Sequence, residues 1–386
     1  MKNNDISYVI LYIFVFGAVG AFMPLLGQYL AGIGFSGVQI GTVTSSGTAT
    51  AVAATVFWGR LYIGSGNKKR FVLKLAVMAA AVCFCLQFVS GYYLFLFVFC
   101  SLFAFQASVI SLVDAMAVED GRVFGNVRKW GAVGFALGVF FAGRIAEAIG
   151  LKVIFYLYSG FLTVFSGMLF LMSRADVQGG STGVETEVEA ETEKSGSMRS
   201  ILSNKKYIKL VICAFFFGGT ITANNTYFGF LFLQGGGSIA GIGLALLLMA
   251  GSEAPVMAYE KKLSDAFTLE KVLLAAMCVS ALRFTWYSLE PYAFSLTALF
   301  FLQGMSLGII LVGFVRYIAG IVGSDNPGLA ISAYYAFGSG LSTIFCQIIA
   351  GILLDLYGPG AIYRFFSCMN IVGIFLFVAW KLHRDK

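Results

Sequence analysis

The chain has 386 residues, 59% of them hydrophobic and only 12% charged. A soluble domain carries about 25% charged residues, so a water-soluble globule is excluded and a bilayer is the solvent that can cover this much apolar surface. The net charge of +7 does not point to nucleic acid, because the basic residues stand at the ends of apolar runs, where they orient membrane proteins.

A spanning helix needs about 20 apolar residues. Twelve such runs are predicted, over 6–31, 37–62, 71–90, 92–117, 130–149, 153–172, 207–233, 239–259, 269–288, 292–320, 328–355 and 361–380. The first run continues past Met23 and is expected to be a spanning helix rather than a cleaved signal. Alternate loops differ in charge. One set carries Lys68, Lys69 and Arg70, then Arg122, Arg128 and Lys129, Lys205 and Lys206, Lys261 and Lys262, Arg316, and a basic tail. The other set, around 32–37, 91, 235–238 and 290–291, is nearly uncharged, with a few charges only near Arg144–Lys152 and Asp355–Arg364. Positive-inside reasoning places the first set and both termini in the cytoplasm of a cell-membrane protein.

Residues 175–206 break the pattern. They are rich in Gly and Ser, with Glu at 185, 187, 189, 191 and 193, a composition that cannot bury a core and predicts a disordered cytoplasmic linker. The expected organisation is therefore a six-helix bundle over 1–174, the linker 175–206, and a second six-helix bundle over 207–386. The bundles echo each other: Ala142-Gly143-x-x-x-Glu147-x-x-Gly150 recurs as Ala350-Gly351-x-x-x-Asp355-x-x-Gly358, an offset of 208 that closes the fifth helix of each half. Repeated halves around a midplane site are the build of an alternating-access transporter.

An ionisable residue inside the bilayer costs at least ~2.5 kcal/mol on insertion scales and is a functional candidate by default. In chain order, the first run sets Gly17, Gly20, Pro24 and Gln28 on one face, and the fourth sets Ser108, Ser111 and Asp114 on one stripe. The seventh sets Gly218, Thr222, Asn225 and Gly229 together, widened by Asn224 and Tyr227. These amides read either as packing contacts between helices or as the lining of a cavity. Glu253 lies deep in the eighth run, two residues before Pro255, and Arg283 lies in the ninth. They read either as an assembly pair or as a proton- or substrate-linked carboxylate with Arg283 as partner or anion anchor. Gln106, Gln303, Tyr334 and Tyr335 are further candidates of the same kind.

Enzymatic chemistry finds no support. His383 is the single histidine, and no HExxH or GxSxG motif is present. The seven Cys are scattered with no CxxC spacing and read as small buried hydrophobes. No cofactor and no metal are expected.

The chain resembles the major facilitator superfamily, and within it the branch that holds the lactose permease, phenylpropionate permease and nucleoside–proton symporters. Ser36-Gly37-Val38-Gln39-Ile40-Gly41, Phe124-Gly125-Asn126-Val127-Arg128-Lys129-Trp130-Gly131, Leu282-Arg283-Phe284 and Val315-Arg316-Tyr317-Ile318 carry the resemblance, each at the matching topological point. It implies twelve transmembrane helices in two pseudo-symmetric six-helix bundles. It also implies that Asp114 and Arg128 engage substrate, and that Glu253 and Arg283 are the family's eighth-helix acid and ninth-helix arginine. Two departures stand out. The loop after the second helix has Ile63 where the superfamily has Asp, which puts the usual salt-bridge latch in doubt. The stretch Gln303-Gly304-Met305-Ser306 lacks the His and Glu that serve proton coupling in the lactose permease. Coupling would then fall to Glu253 or Asp114.

The leading expectation is a monomeric secondary transporter, a proton symporter for a small organic solute in a lipid bilayer. The alternatives are a drug/proton antiporter and a non-transporting receptor. Arg128 and Arg283 argue against cationic cargo and towards an anion or a polyol.

Overall fold

A computed structural model describes residues 3–122, 124–178, 201, 203–322 and 327–382. The Glu-rich part of the expected linker and His383 lie outside the described residues. The first six helices are α1 (Asn3–Gly32), α2 (Gly37–Ile63), α3 (Lys68–Leu86), α4 (Tyr92–Glu119), α5 (Phe124–Ile149) and α6 (Val153–Gln178). Then come α7 (Lys205–Gln234), α8 (Ile239–Phe267), α9 (Leu269–Tyr287), α10 (Ala293–Leu299), α11 (Phe301–Val322) and α12 (Pro327–Tyr334). A π-helical turn, Tyr335–Leu341, joins α12 to α13 (Ser342–Tyr357), and α14 (Pro359–Ala379) completes the fold. The predicted tenth run is thus α10 and α11, interrupted at Phe300, and the eleventh is α12, the π turn and α13.

Among the described residues, nine helices are long and apolar enough to cross a membrane by length and composition. The rods α2, α3 and α9 fall short for visible reasons. Ser, Thr and Gly dilute α2, while α3 carries Lys68, Lys69, Arg70 and Lys74, and α9 carries Glu270, Lys271 and Arg283.

Helix ends differ from the predicted runs where charge is neutralised internally. Asn67 caps α3 by accepting from Arg70 N at 2.9 Å, so the helix begins inside the basic cluster rather than at residue 71. Asn204 does the same for α7, accepting from Lys206 N and Tyr207 N. Helix α8 runs to Phe267, beyond the predicted 259, because the buried Glu260 carboxylate accepts from Arg316 Nη1 at 2.6 Å and from Ser264 at 2.6 Å. A paired charge no longer stops a helix.

In the first half, α1 packs on α5 and α6, α3 on α4 and α6, and α2 on α4; in the second, α7 and α9 pack on α14, α7 on α13, and α11 on α8 and α9. The α1–α5 crossing brings backbones into contact: a Cβ on Gly138 would fall on the Gly17 carbonyl, so glycine is required there. Between the halves, α5 packs on α8, α2 on α13, and α1 on α7. The glycine contacts along these seams join Gly143 to Ile239, Gly243 to Val139, Gly37 to Gly351, Gly41 to Gln347 and Gly27 to Thr226. All lie toward the uncharged loops, so the halves are closed on that side. On the basic side, ion pairs within a half include Lys68–Glu119 at 2.9 Å, Lys69–Asp120 at 3.2 Å and Arg316–Glu260 at 2.6 Å. Ile63, standing where the superfamily has Asp, is 79% exposed.

Candidate functional site

Two polar clusters stand inside the bundle, one in each half. The first is built on α1, α4 and α5. Tyr12 OH donates to Asp114 Oδ1 at 2.7 Å, and Arg128 Nε lies 3.5 Å from the same oxygen. The Arg128 guanidinium sits 4.1 Å from the Phe16 ring centroid and 5.8 Å from that of Tyr12, close enough for cation–π attraction. Tyr12 and Phe16 are one helical turn apart and share a face. The Asp114 and Arg128 side chains remain 27% and 35% exposed. The pair is charge-balanced but half-open, which leaves room for a ligand's polar groups.

Arg128 also faces the other half. Along the antiparallel α5–α8 seam, Val139 meets Gly243. Eleven residues nearer the basic side on each helix stand Arg128 of α5 and position 254 of α8. The Arg128 charge acts on Glu253 of α8 and on Tyr335 of the π turn. Among the described residues none donates a hydrogen bond to the Glu253 carboxylate. The π turn adds a local widening of the helix at this level, a distortion common at functional sites.

The second cluster is built on α7, α9, α11 and α14. Arg283 Nη1 donates to Gln303 Oε1 at 2.6 Å, and Asn224 Nδ2 donates to the same oxygen at 3.1 Å. Tyr363 OH donates to Asn224 Oδ1 at 3.2 Å, and Gln303 Nε2 reaches Met249 Sδ at 3.0 Å. Rings of Phe284 and Tyr287 flank the guanidinium at 4.2 and 5.1 Å. Arg283 is only 6% exposed, its Nε finds no partner, and no described carboxylate pairs with it. It is a buried cation held by neutral groups.

The expected Glu253–Arg283 partnership is therefore not what the structure shows. Glu253 packs beside Gly308 on α11, whereas Arg283 engages Gln303, more than a helical turn away on the same helix. Of the other candidates, Gln28 is buried against Gly229 on α7. Its amide can accept from Phe230 N at 3.2 Å and donate to Pro24 O at 3.1 Å. Tyr227 is fully buried and donates to Gln347 O at 2.9 Å at the α2–α7–α13 junction. Asn225 is half-buried, its Oδ1 lacking a partner. Tyr334 is buried against Phe314, and Gln106 and Ser108 are buried with Oε1 and Oγ unpaired.

Sequence reading passed over Tyr12 and Phe16, because aromatic residues in an apolar run look the same whether they face lipid or a neighbouring charge. It counted Arg128 first as a loop cation; α5 begins at Phe124 and takes Arg128 into its first turns. It also passed over Thr44 and Gln347, whose side chains hydrogen-bond across the α2–α13 seam at 3.0 Å.

Comparison with known proteins agrees with this architecture. Residues 6–365 match the model of the MFS_1 like family. The chain is 32% identical to a maltose permease of Geobacillus stearothermophilus, over 95% of this chain and 92% of the relative. It is 25% identical to a probable 3-phenylpropionic acid transporter of Escherichia coli, strain K12, over 91% and 92% of the two chains. The crystal structure of the nucleoside transporter NupG superposes with a TM-score of 0.82 over 100% of both chains at 17% identity, which is a likeness of fold. With fold and family model in agreement over nearly its whole length, this chain belongs to the MFS_1 like family of the major facilitator superfamily, and it is a multi-pass membrane transporter.

Proposed function

We propose that the protein is a proton-coupled symporter for a polyhydroxylated solute of disaccharide size, working by alternating access in the cell membrane with both termini in the cytoplasm. Its two six-helix halves, over 1–174 and 207–386, rock about the space between Arg128 and Glu253, joined by 175–206. On this orientation the glycine seams between the halves lie on the outer side.

Arg128 carries this reading: it pairs with Asp114 in its own half, and its charge reaches Glu253 in the other. A guanidinium and a carboxylate bind neighbouring hydroxyls through paired hydrogen bonds, and the Phe16 and Tyr12 rings offer apolar faces to the C–H side of a sugar ring. Similarity to a maltose permease over 95% of the chain supports the same class. The Arg128 charge disfavours a cationic cargo and so the drug-antiporter reading.

Coupling follows from competition for one cation. Ionised Glu253 attracts Arg128 across the gap and competes with Asp114 and solute. A proton on Glu253 removes that competition, so proton and solute bind together. The remaining candidates take supporting roles: Arg283, Gln303 and Asn224 hold α7, α9 and α11 in place behind Glu253, while Gln28, Asn225, Tyr227 and Tyr334 shape the walls.

The test is uptake into proteoliposomes of labelled maltose, uridine and 3-phenylpropionate, with and without an inward proton gradient. Maltose uptake enhanced by the gradient, and insensitive to it in Glu253→Gln, is the expected result. Maltose uptake indifferent to both would overturn coupling, and uptake of uridine or 3-phenylpropionate in preference would overturn the substrate class.

A further inference from the structure

The repeated Gly-x-x-x-acid motif has no role in the site just described, yet both copies do the same thing. At the start of α2, four backbone N–H groups lack partners within the helix. Ser36 N donates to Gln39 Oε1 at 3.0 Å, and Gln39 N donates to Ser36 Oγ at 3.2 Å. The two that remain, Gly37 N and Val38 N, donate to Asp355 Oδ1 at 2.5 Å and Oδ2 at 2.8 Å. Asp355 belongs to α13, in the other half of the protein.

Helix α8 begins the same way. Ser238 accepts from Gly241 N at 3.2 Å, and Ile242 N bonds Ser238 O at 3.2 Å. Ala240 N then donates to Glu147 Oε2 at 2.6 Å, and Glu147 belongs to α5, again in the other half. The capped segments themselves repeat, as Ser36-x-x-x-Ile40-Gly41 and Ser238-x-x-x-Ile242-Gly243.

Each acid sits one turn beyond a glycine that allows the seam to close. A Cβ on Gly351 would fall on the Gly37 carbonyl, and one on Gly143 would approach Ile239 O at 3.0 Å. Both carboxylates are exposed at the uncharged-loop side. The negative charge also complements the positive end of each helix dipole. On the basic side, Ile63 occupies the position of the superfamily's Asp, and Lys68 and Lys69 form ion pairs with Glu119 and Asp120.

We propose that Glu147 and Asp355 are paired gating residues, each latching the uncharged-loop side shut by capping a helix of the opposite half, and that the two caps break and re-form together in every transport cycle. This rests on the alternating-access reading above. Both acids act by positioning the halves and touch no solute.

Hydrogen–deuterium exchange on the full-length protein in nanodiscs tests this without a ligand. Glu147→Ala and Asp355→Ala should each raise exchange in both first turns, 37–41 and 239–243, by about tenfold, the worth of one charged hydrogen bond. Exchange along the α3–α6 contact should stay unchanged, which reports that the fold is intact. Glu147→Gln and Asp355→Asn, which keep an acceptor oxygen but lose the charge, should lie between. A rise confined to the turn whose own cap was removed would make each acid a local cap and overturn the proposal, while proton-driven maltose uptake by the wild type would leave alternation standing. A rise at both seams, with no uptake of any tested solute and no gain of protection on the basic side, would keep the latches and overturn alternation.

Discussion

The two halves share one fold but carry opposite electrostatic designs. In the first, Arg128 has a carboxylate partner, Tyr12 steadies that carboxylate, and both charges stay partly wet. In the second, Arg283 has no described carboxylate, is 6% exposed, and rests on the amide oxygen of Gln303. A half-exposed balanced pair can exchange its partner for a ligand at low cost. A dry cation with fixed neutral neighbours cannot, and its removal leaves little unsatisfied. Pseudo-symmetry therefore does not make the two arginines equivalent: in the proposed cycle Arg128 binds and Arg283 holds.

Substitutions that separate the two arginines test this contrast. The largest effect is expected at Arg128→Met, which removes a charged contact worth roughly 2–5 kcal/mol. Uptake should fall about 30-fold or more while the melting temperature moves little. Next is Glu253→Gln, which should abolish the response to a proton gradient but leave solute exchange between equal concentrations intact, read as counterflow. Gly138→Ala should destabilise by about 1–3 kcal/mol through overpacking against the Gly17 carbonyl, seen in thermal melts. Tyr12→Phe removes one hydrogen bond to Asp114 and should weaken solute binding by about 0.5–1.5 kcal/mol. The smallest effect is expected at Arg283→Met. Replacing a buried charge by an apolar side chain of similar length is often neutral or stabilising, so the melting temperature should hold or rise. A large drop there would show that Arg283 is tied to a charge after all.

Much of this was readable from residues alone, and the reasons for the remainder are physical. Periodic apolar runs and alternating loop charge gave the rods, since the bilayer demands both. Run ends were misplaced at Lys68 and Glu260, where an Asn cap or an Arg partner neutralises a charge that hydropathy counts as a stop. Asp114, Glu253 and Arg283 stood out because charge in an apolar run is costly; Arg128 entered through the family resemblance. Which acid meets which arginine is a matter of helix register between halves, and one sequence holds no information on that. Tyr12 and Phe16 stayed hidden because their role depends on what α5 presents to them. The Gly-x-x-x-acid repeat was visible, but its partners, the first-turn amides of α2 and α8, are backbone groups that no residue pattern marks.

In the proposed cycle one cation, Arg128, serves carboxylates in both halves. A double-mutant cycle on solute affinity tests it most directly, using calorimetry with maltose on wild type, Asp114→Asn, Glu253→Gln and the double variant. Each single change leaves Arg128 one carboxylate, whereas the double change leaves it none. A shared Arg128 gives a coupling of about 1 kcal/mol or more between the two sites. Additivity within about 0.5 kcal/mol would mean that the two acids do not share Arg128, and would contradict the account.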